Sequence, residues 1–192
     1  MAKILVVYGT TEGHTGTVAK RIGAVMKEAG HEVHVPDARD LRGAALDQAY
    51  DGVVVGGSVH GGEHQSSVRE FVRRHRDLLV RIPSAFFSVS LTAAYPDDEA
   101  RQDVQAVVDR FVRETGWQPL RVEPIAGALV YSQYNFFLRH VMKLIAKRHG
   151  RPTDMTQDHD YTDWEAVERF AGDFAGEVSG RSHGSEGGIA DL

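Results

Sequence analysis

The chain of 192 residues contains no cysteine. That absence removes disulfides, Cys-ligated zinc, iron–sulfur clusters and thiol catalysis together. Any redox chemistry must therefore run on a borrowed cofactor. No apolar run approaches the roughly 18 residues needed to span a bilayer. Met1-Ala2-Lys3 leads straight into a strand pattern, which leaves no room for a signal peptide, and the cytoplasm is the expected location. Positive charge is not in excess: the net charge is −5, which argues against a general nucleic-acid binder. What is present is 42% hydrophobic and 26% charged residues, the balance of one soluble domain with a real core.

Strand and helix patterns alternate along the chain. Residues 4–8 form a continuous apolar run, as a strand buried on both faces should. Residues 15–29 read as a helix, with Val18, Ile22, Val25 and Met26 at helical spacing and Gly30 as the stop. Further strands are expected at 32–35, 52–57, 85–89 and 124–131, and helices at 66–79, 97–115, 136–149 and 163–178. This repetition predicts an α/β fold with helices on both faces of a parallel sheet. Right-handed crossovers give a doubly wound, five-stranded sheet of order 2-1-3-4-5. The domain is expected over 1–178. Residues 179–192 are Gly- and Ser-rich and are expected to form a disordered tail.

Three loops should meet at the carboxyl edge of such a sheet, where ligands bind. The first holds Thr10, Thr11, Glu12, Gly13, His14 and Thr15 between a strand and a helix. Backbone N–H groups, a helix N-terminus and threonine hydroxyls there suit a bound phosphate. The turn has no lysine, so it is not a Walker loop, and it is not G-x-G-x-x-G. A carboxylate repels a dianion, so the Glu12 side chain is expected to face solvent. The second loop carries Ser58, Val59, His60, Gly61 and Gly62, whose glycines allow backbone to approach a flat ring. The third carries Ser88, Val89, Ser90, Leu91 and Thr92. His60 reads either as a contact at a bound ring or substrate or as a solvated loop histidine, and it is the one candidate for a catalytic side chain. His60 and His64 have i, i+4 spacing, but Gly61-Gly62 argues against a helix, no third ligand follows, and no metal is expected. His31 and His34 flank a strand and read as surface residues.

The pattern Val6-Val7-Tyr8-x-Thr10-x-x-Gly13-x-Thr15-x-x-x-Ala19 resembles the FMN-phosphate loop of flavodoxins at every defined position. A later segment, 131–160, reads as an insertion near the fifth strand. Its stretch 131–151 holds Arg139, Lys143, Lys147, Arg148 and Arg151 with no acidic residue. Phe137, Leu138, Val141, Met142, Leu144 and Ile145 share one helical face, and Arg139, His140, Lys143 and Lys147 the opposite one. Such a helix packs its apolar face inward, and its basic face either stays in solvent or meets an anionic lipid surface or ligand.

With Tyr161-Thr162-Asp163-Trp164-Glu165 following that segment, the chain resembles the menaquinone-dependent protoporphyrinogen IX dehydrogenases of flavodoxin-like fold. The stretches 50–58, 85–91 and 125–129 carry the resemblance too, which spans roughly residues 3–178. From the residues themselves, Thr162 and Glu165 read as a capping box and Trp164 as a core anchor. The sequence departs from the family pattern at 130–137, which is uncharged here and arginine-rich in the family. The resemblance implies FMN as cofactor, oxidation of protoporphyrinogen IX, a quinone acceptor and peripheral contact with the cell membrane. It places Tyr131, Tyr134, Arg139, Lys143 and Arg148 toward substrate or membrane. A flavodoxin-type electron carrier and an NAD(P)H:quinone reductase share the fold and are the competing readings.

Overall fold

The computed structural model describes residues 1–43, 46, 50–129 and 159–184. The sheet is built on β1 (Lys3–Gly9), β2 (Glu32–His34), β3 (Gly52–His60), β5 (Ser84–Ser90) and β6 (Arg121–Ala126). The short β4 (Glu63–His64) folds back antiparallel on β3. The order is β2-β1-β3-β5-β6, and those five strands run parallel. Setting β4 aside, this is the expected order 2-1-3-4-5. A separate ladder pairs β7 (Ala128–Leu129) with β8 (His159–Asp160).

Helices cover both faces. Along β1, Ile4 and Val6 point into one cluster and Leu5 and Val7 into the other, because successive side chains alternate across a strand. The first cluster is closed by α1 (His14–Glu28) through Val18, Ile22 and Met26, and by α4 (Trp164–Gly184) through Val167, Phe170, Phe174 and Val178. The second is closed by α2 (Ser66–Arg81) and α3 (Asp98–Thr115) through Val68, Phe71, Val72, Val108 and Phe111. Burial on both faces is why β1 and β3 read as unbroken apolar runs.

Several boundaries differ from the sequence expectation. β3 runs on to His60, so Ser58, Val59 and His60 belong to a hairpin arm and not to an open loop. Gly61 and Gly62, at φ 58° and 80°, form its two-residue turn, the left-handed pair that such hairpins demand. The last parallel strand starts at Arg121, not at residue 124, and stops at Ala126. It lies at the sheet edge, where Arg121 pairs with Asp173 and Glu177 of α4, so its polar beginning hid it. The expected tail start is also corrected: α4 continues through Gly184. Ser179 lies within that helix and donates its hydroxyl to the Ala175 carbonyl at 3.0 Å. The helix expected at 136–149 lies outside the described residues.

Candidate functional site

The register places Gly9, Gly57 and Ser88 side by side on β1, β3 and β5. All three candidate loops therefore leave the same carboxyl edge. Gly9 is required there: a Cβ would lie 2.4 Å from a Val68 methyl carbon. In the first loop, the Gly13 amide donates to Thr10 Oγ1 at 2.8 Å, and Gly13 has φ 90°. The Gly13 carbonyl accepts the Gly16 and Thr17 amides at 2.9 and 3.2 Å and starts α1. Among the described residues, the amides of Thr11, Glu12, His14 and Thr15 donate to no protein acceptor. Thr15 is buried beneath them. The result is a cup of free donors at a helix N-terminus, a geometry that suits an anion.

Side chains tie the loops to one another. Glu12 Oε1 pairs with His60 Nε2 at 2.9 Å, which corrects the expectation that Glu12 faces solvent. The pairing sets an imidazole against the one carboxylate of the turn. Gln65, just before α2, donates to Thr11 Oγ1 at 3.3 Å and to Ser58 Oγ. Its Oε1 is buried with no hydrogen-bond partner among the described residues. His64 turns away from His60 into the core, where Nε2 meets Ser88 Oγ at 2.9 Å. Phe86 and Phe111 contact its ring edge-on, at centroid distances of 5.1 and 4.9 Å. Burial pushes its pKa from 6.5 down to about 4, and the charge of Arg69 acts in the same direction. His64 is therefore a neutral structural link between the hairpin and β5.

The third loop is less open than its sequence implied. Val89 is buried in the sheet core, so only its backbone reaches the edge. Ser90 Oγ accepts the Ala93 amide at 3.2 Å, and its carbonyl accepts the Gly127 amide at 3.0 Å. Leu91 and Thr92 are half-buried at the start of a short turn of 3₁₀ helix.

A second cluster joins the first loop to the far end of the chain. His14 Nε2 lies 2.8 Å from Thr162 Oγ1, and Thr162 donates its hydroxyl to the Ala126 carbonyl at 2.9 Å. Asp160 accepts the Thr162 amide at 2.9 Å and Trp164 Nε1–H at 3.2 Å. The Trp164 and His14 rings meet edge-on at 6.1 Å. Burial lowers the His14 pKa, partly opposed by Asp160. Burial raises that of Asp160, but hydrogen bonds from Thr162 and Trp164 and the nearby His14 outweigh it and hold the carboxyl below its usual range. The expected capping box is corrected: Asp163 caps α4 by accepting the Ala166 amide at 2.9 Å, because the Thr162 hydroxyl is committed to Ala126. Trp164 is half-buried against the α1–α4 core cluster.

The structure thus brings together the first, second and third loops, with His64 diverted to the core. Tyr131, Tyr134, Arg139, Lys143 and Arg148 lie outside the described residues. Gln65 and Asp160 went unnoticed in the sequence. A polar residue just before an amphipathic helix was the available signal for Gln65. Nothing marked Asp160.

A doubly wound sheet of this strand order, with free amides in the turn after β1, defines a protein of flavodoxin type. A family model described as flavodoxin domain matches residues 5–156. The chain is 35% identical over 173 residues to a protein from Escherichia coli K12 named protoporphyrinogen IX dehydrogenase [quinone], covering 90% of this chain and 94% of that one. A Leishmania major protein of the same name is 38% identical over 174 residues, covering 90% of this chain and 74% of that one. Oxidised flavodoxin 1 from Bacillus cereus superposes with a TM-score of 0.52 at 19% identity, covering 91% and 98% of the two chains, which shows the shared fold. The chain belongs to the flavodoxin domain family, a flavin-binding family, and within it to the protoporphyrinogen IX dehydrogenases.

Proposed function

We propose that the protein is an FMN-dependent enzyme that oxidises protoporphyrinogen IX to protoporphyrin IX and passes the electrons to a quinone. The observation that carries this reading is identity of 35% and 38% over 90% of the chain to proteins of that name. The first loop fits the cofactor's phosphate. Its free amides at Thr11, Glu12, His14 and Thr15 supply donors, and the Glu12 carboxylate is held by His60. The Thr10 and Thr15 hydroxyls add to them. The hairpin Ser58–Gly62 and the stretch Ser88–Thr92 frame the ring, and Gln65, bonded to Thr11 and Ser58, ties the first loop to that hairpin.

When bound, the flavin accepts hydride equivalents from the substrate and releases electrons to the acceptor. The chain's own part is to bind, orient and shield. The rigid β3–β4 hairpin, pinned by His64 to Ser88, fixes one wall. His60, exposed at the end of β3, stands at the edge where a substrate meets the ring. The cations Arg139, Lys143 and Arg148, by charge alone, are the partners we assign to the substrate's carboxylates. The same basic segment is the part we assign to an anionic membrane surface, where quinones dissolve. No helix among the described residues is long and apolar enough to cross a membrane.

The test is anaerobic turnover of FMN-loaded protein with protoporphyrinogen IX and menaquinone. Porphyrin fluorescence should grow with time and stop when quinone is withheld. FMN-loaded protein that forms no porphyrin overturns the reading. If its flavin is then reoxidised only by another protein and not by quinone, the molecule is an electron carrier.

A further inference from the structure

The Thr162 hydroxyl has a single hydrogen, and its other neighbours, the Ala126 carbonyl at 2.9 Å and the Asp160 carboxylate, can only accept it. At 2.8 Å, His14 Nε2 must therefore be the donor to Thr162 Oγ1. This fixes the ring as the Nε2–H form and makes a directional chain: His14 to Thr162 to Ala126. His14 is the first residue of α1, and its own amide is one of the free donors of the phosphate cup. Thr162 lies two residues past β8, which pairs with β7 as Ala128 opposite Asp160. The Tyr161 amide reaches the Gly127 carbonyl at 3.4 Å, so Ala126 to Thr162 forms one hydrogen-bonded junction. Asp160 adds a carboxylate 3.8 Å from His14 Nε2 and anchors Trp164, whose ring closes the far side of His14. The cup and the β7–β8 junction are thus joined by the His14–Thr162 hydrogen bond, with Asp160 and Trp164 beside it.

We propose that His14 is a positioning residue that couples occupancy of the phosphate cup to the seating of the β7–β8 ladder, through the Thr162 hydroxyl. This rests on the reading that the first loop holds the phosphate of FMN. A phosphate on the His14 amide orders the first turn of α1. It thereby fixes the imidazole, and the imidazole fixes Thr162. The coupling runs both ways, since a bias of one site by another is reciprocal. Leu129 and His159 bracket the segment in which the sequence carries Arg139, Lys143 and Arg148, so loading the cofactor also sets the two ends from which that segment departs.

The experiment is amide hydrogen exchange over residues 126–129 and 159–163, without flavin, with FMN and with riboflavin, which lacks the phosphate. Binding of each flavin is followed in parallel by fluorescence quenching. In the wild type, FMN should slow exchange at these amides by about fivefold or more, and riboflavin should not, in line with the usual size of coupling between sites. Thr162→Val and His14→Ala should each abolish that response and weaken FMN about tenfold while leaving riboflavin affinity unchanged. His14→Gln keeps an N–H donor and should restore both. Retention of the FMN response in Thr162→Val and His14→Ala, or an equal response to the two flavins, overturns the coupling while leaving the cofactor reading intact. Failure of the wild type to bind FMN removes the cofactor reading and the coupling with it.

Discussion

At the scale of single residues, two histidines four positions apart have opposite fates. His60 ends an exposed strand arm and pairs with Glu12 at 2.9 Å, whereas His64 is buried against Ser88, Phe86 and Phe111. A sequence shows the spacing and not the direction, because only the turn at Gly61-Gly62 reverses the chain between them. The buried one carries a pH dependence. In the folded state its pKa is about 4, while the unfolded chain keeps the ordinary 6.5, so between those values the unfolded state binds more protons. Its stabilising contribution is complete above pH 6.5 and is lost as the pH falls toward 4. A gap of this width is worth about 3 kcal/mol. His14 and His75, both lowered mainly by burial, act in the same direction. Urea unfolding at pH 7, 5.5 and 4.5 should show a steep loss in the wild type and a distinctly shallower one in His64→Phe. Equal slopes would mean that the imidazole is not the group that titrates.

At the scale of elements, legibility followed burial. β1, β3 and β5 were readable because apolar residues on both faces leave a continuous run. β6 was misplaced because an edge strand alternates half-exposed and exposed residues through Arg121, Val122, Glu123 and Pro124. Ser58, Val59 and His60 were read as loop because they lie between Gly61-Gly62 and the pair Gly56-Gly57 that closed the expected strand. The reason for that pair is packing. A Cβ on Gly56 would fall 1.9 Å from the Phe87 ring, which fills the sheet face beside it. Gly56→Ala must therefore displace a fully buried phenyl ring in the middle of the sheet. The expected cost is about 1–3 kcal/mol or more, the range for an overpacked core. Thermal unfolding checks it directly. A midpoint unchanged from wild type would show that Phe87 finds a second rotamer at no cost. The start of α4 was misread for a different reason: Thr162 and Asp163 are both good caps, and only the tertiary bond to Ala126 decides between them.

At the scale of the whole molecule, the first and last helices meet beside the first loop. α1 packs on α4, Arg21 pairs with Glu168 at 2.6 Å, and His14 reaches Thr162, so the cup at the start of α1 leans on the last helix. The first loop was legible as a strand–turn–helix junction because its parts are local: a strand, a turn of small and hydroxyl residues, and a helix start are adjacent in sequence. The links across it were not, since Gln65, Asp160 and Thr162 come from segments 54 to 148 positions from their partners in the loop or the first turn of α1. A ligand that enters the cup should therefore stabilise the fold as one unit. Binding to the native state alone contributes about 2.7 kcal/mol at a ligand concentration of 100 times the dissociation constant. In a domain of this size each kcal/mol moves the midpoint by roughly 2–4 °C, so FMN should raise it by about 5–11 °C. Riboflavin at the same concentration should give a smaller rise, because it leaves the amides of Thr11, Glu12, His14 and Thr15 without an anion. Differential scanning fluorimetry is ruled out by flavin emission, and circular dichroism at 222 nm avoids it. Equal shifts from the two flavins would show that the ring supplies the binding energy and that the cup contributes none.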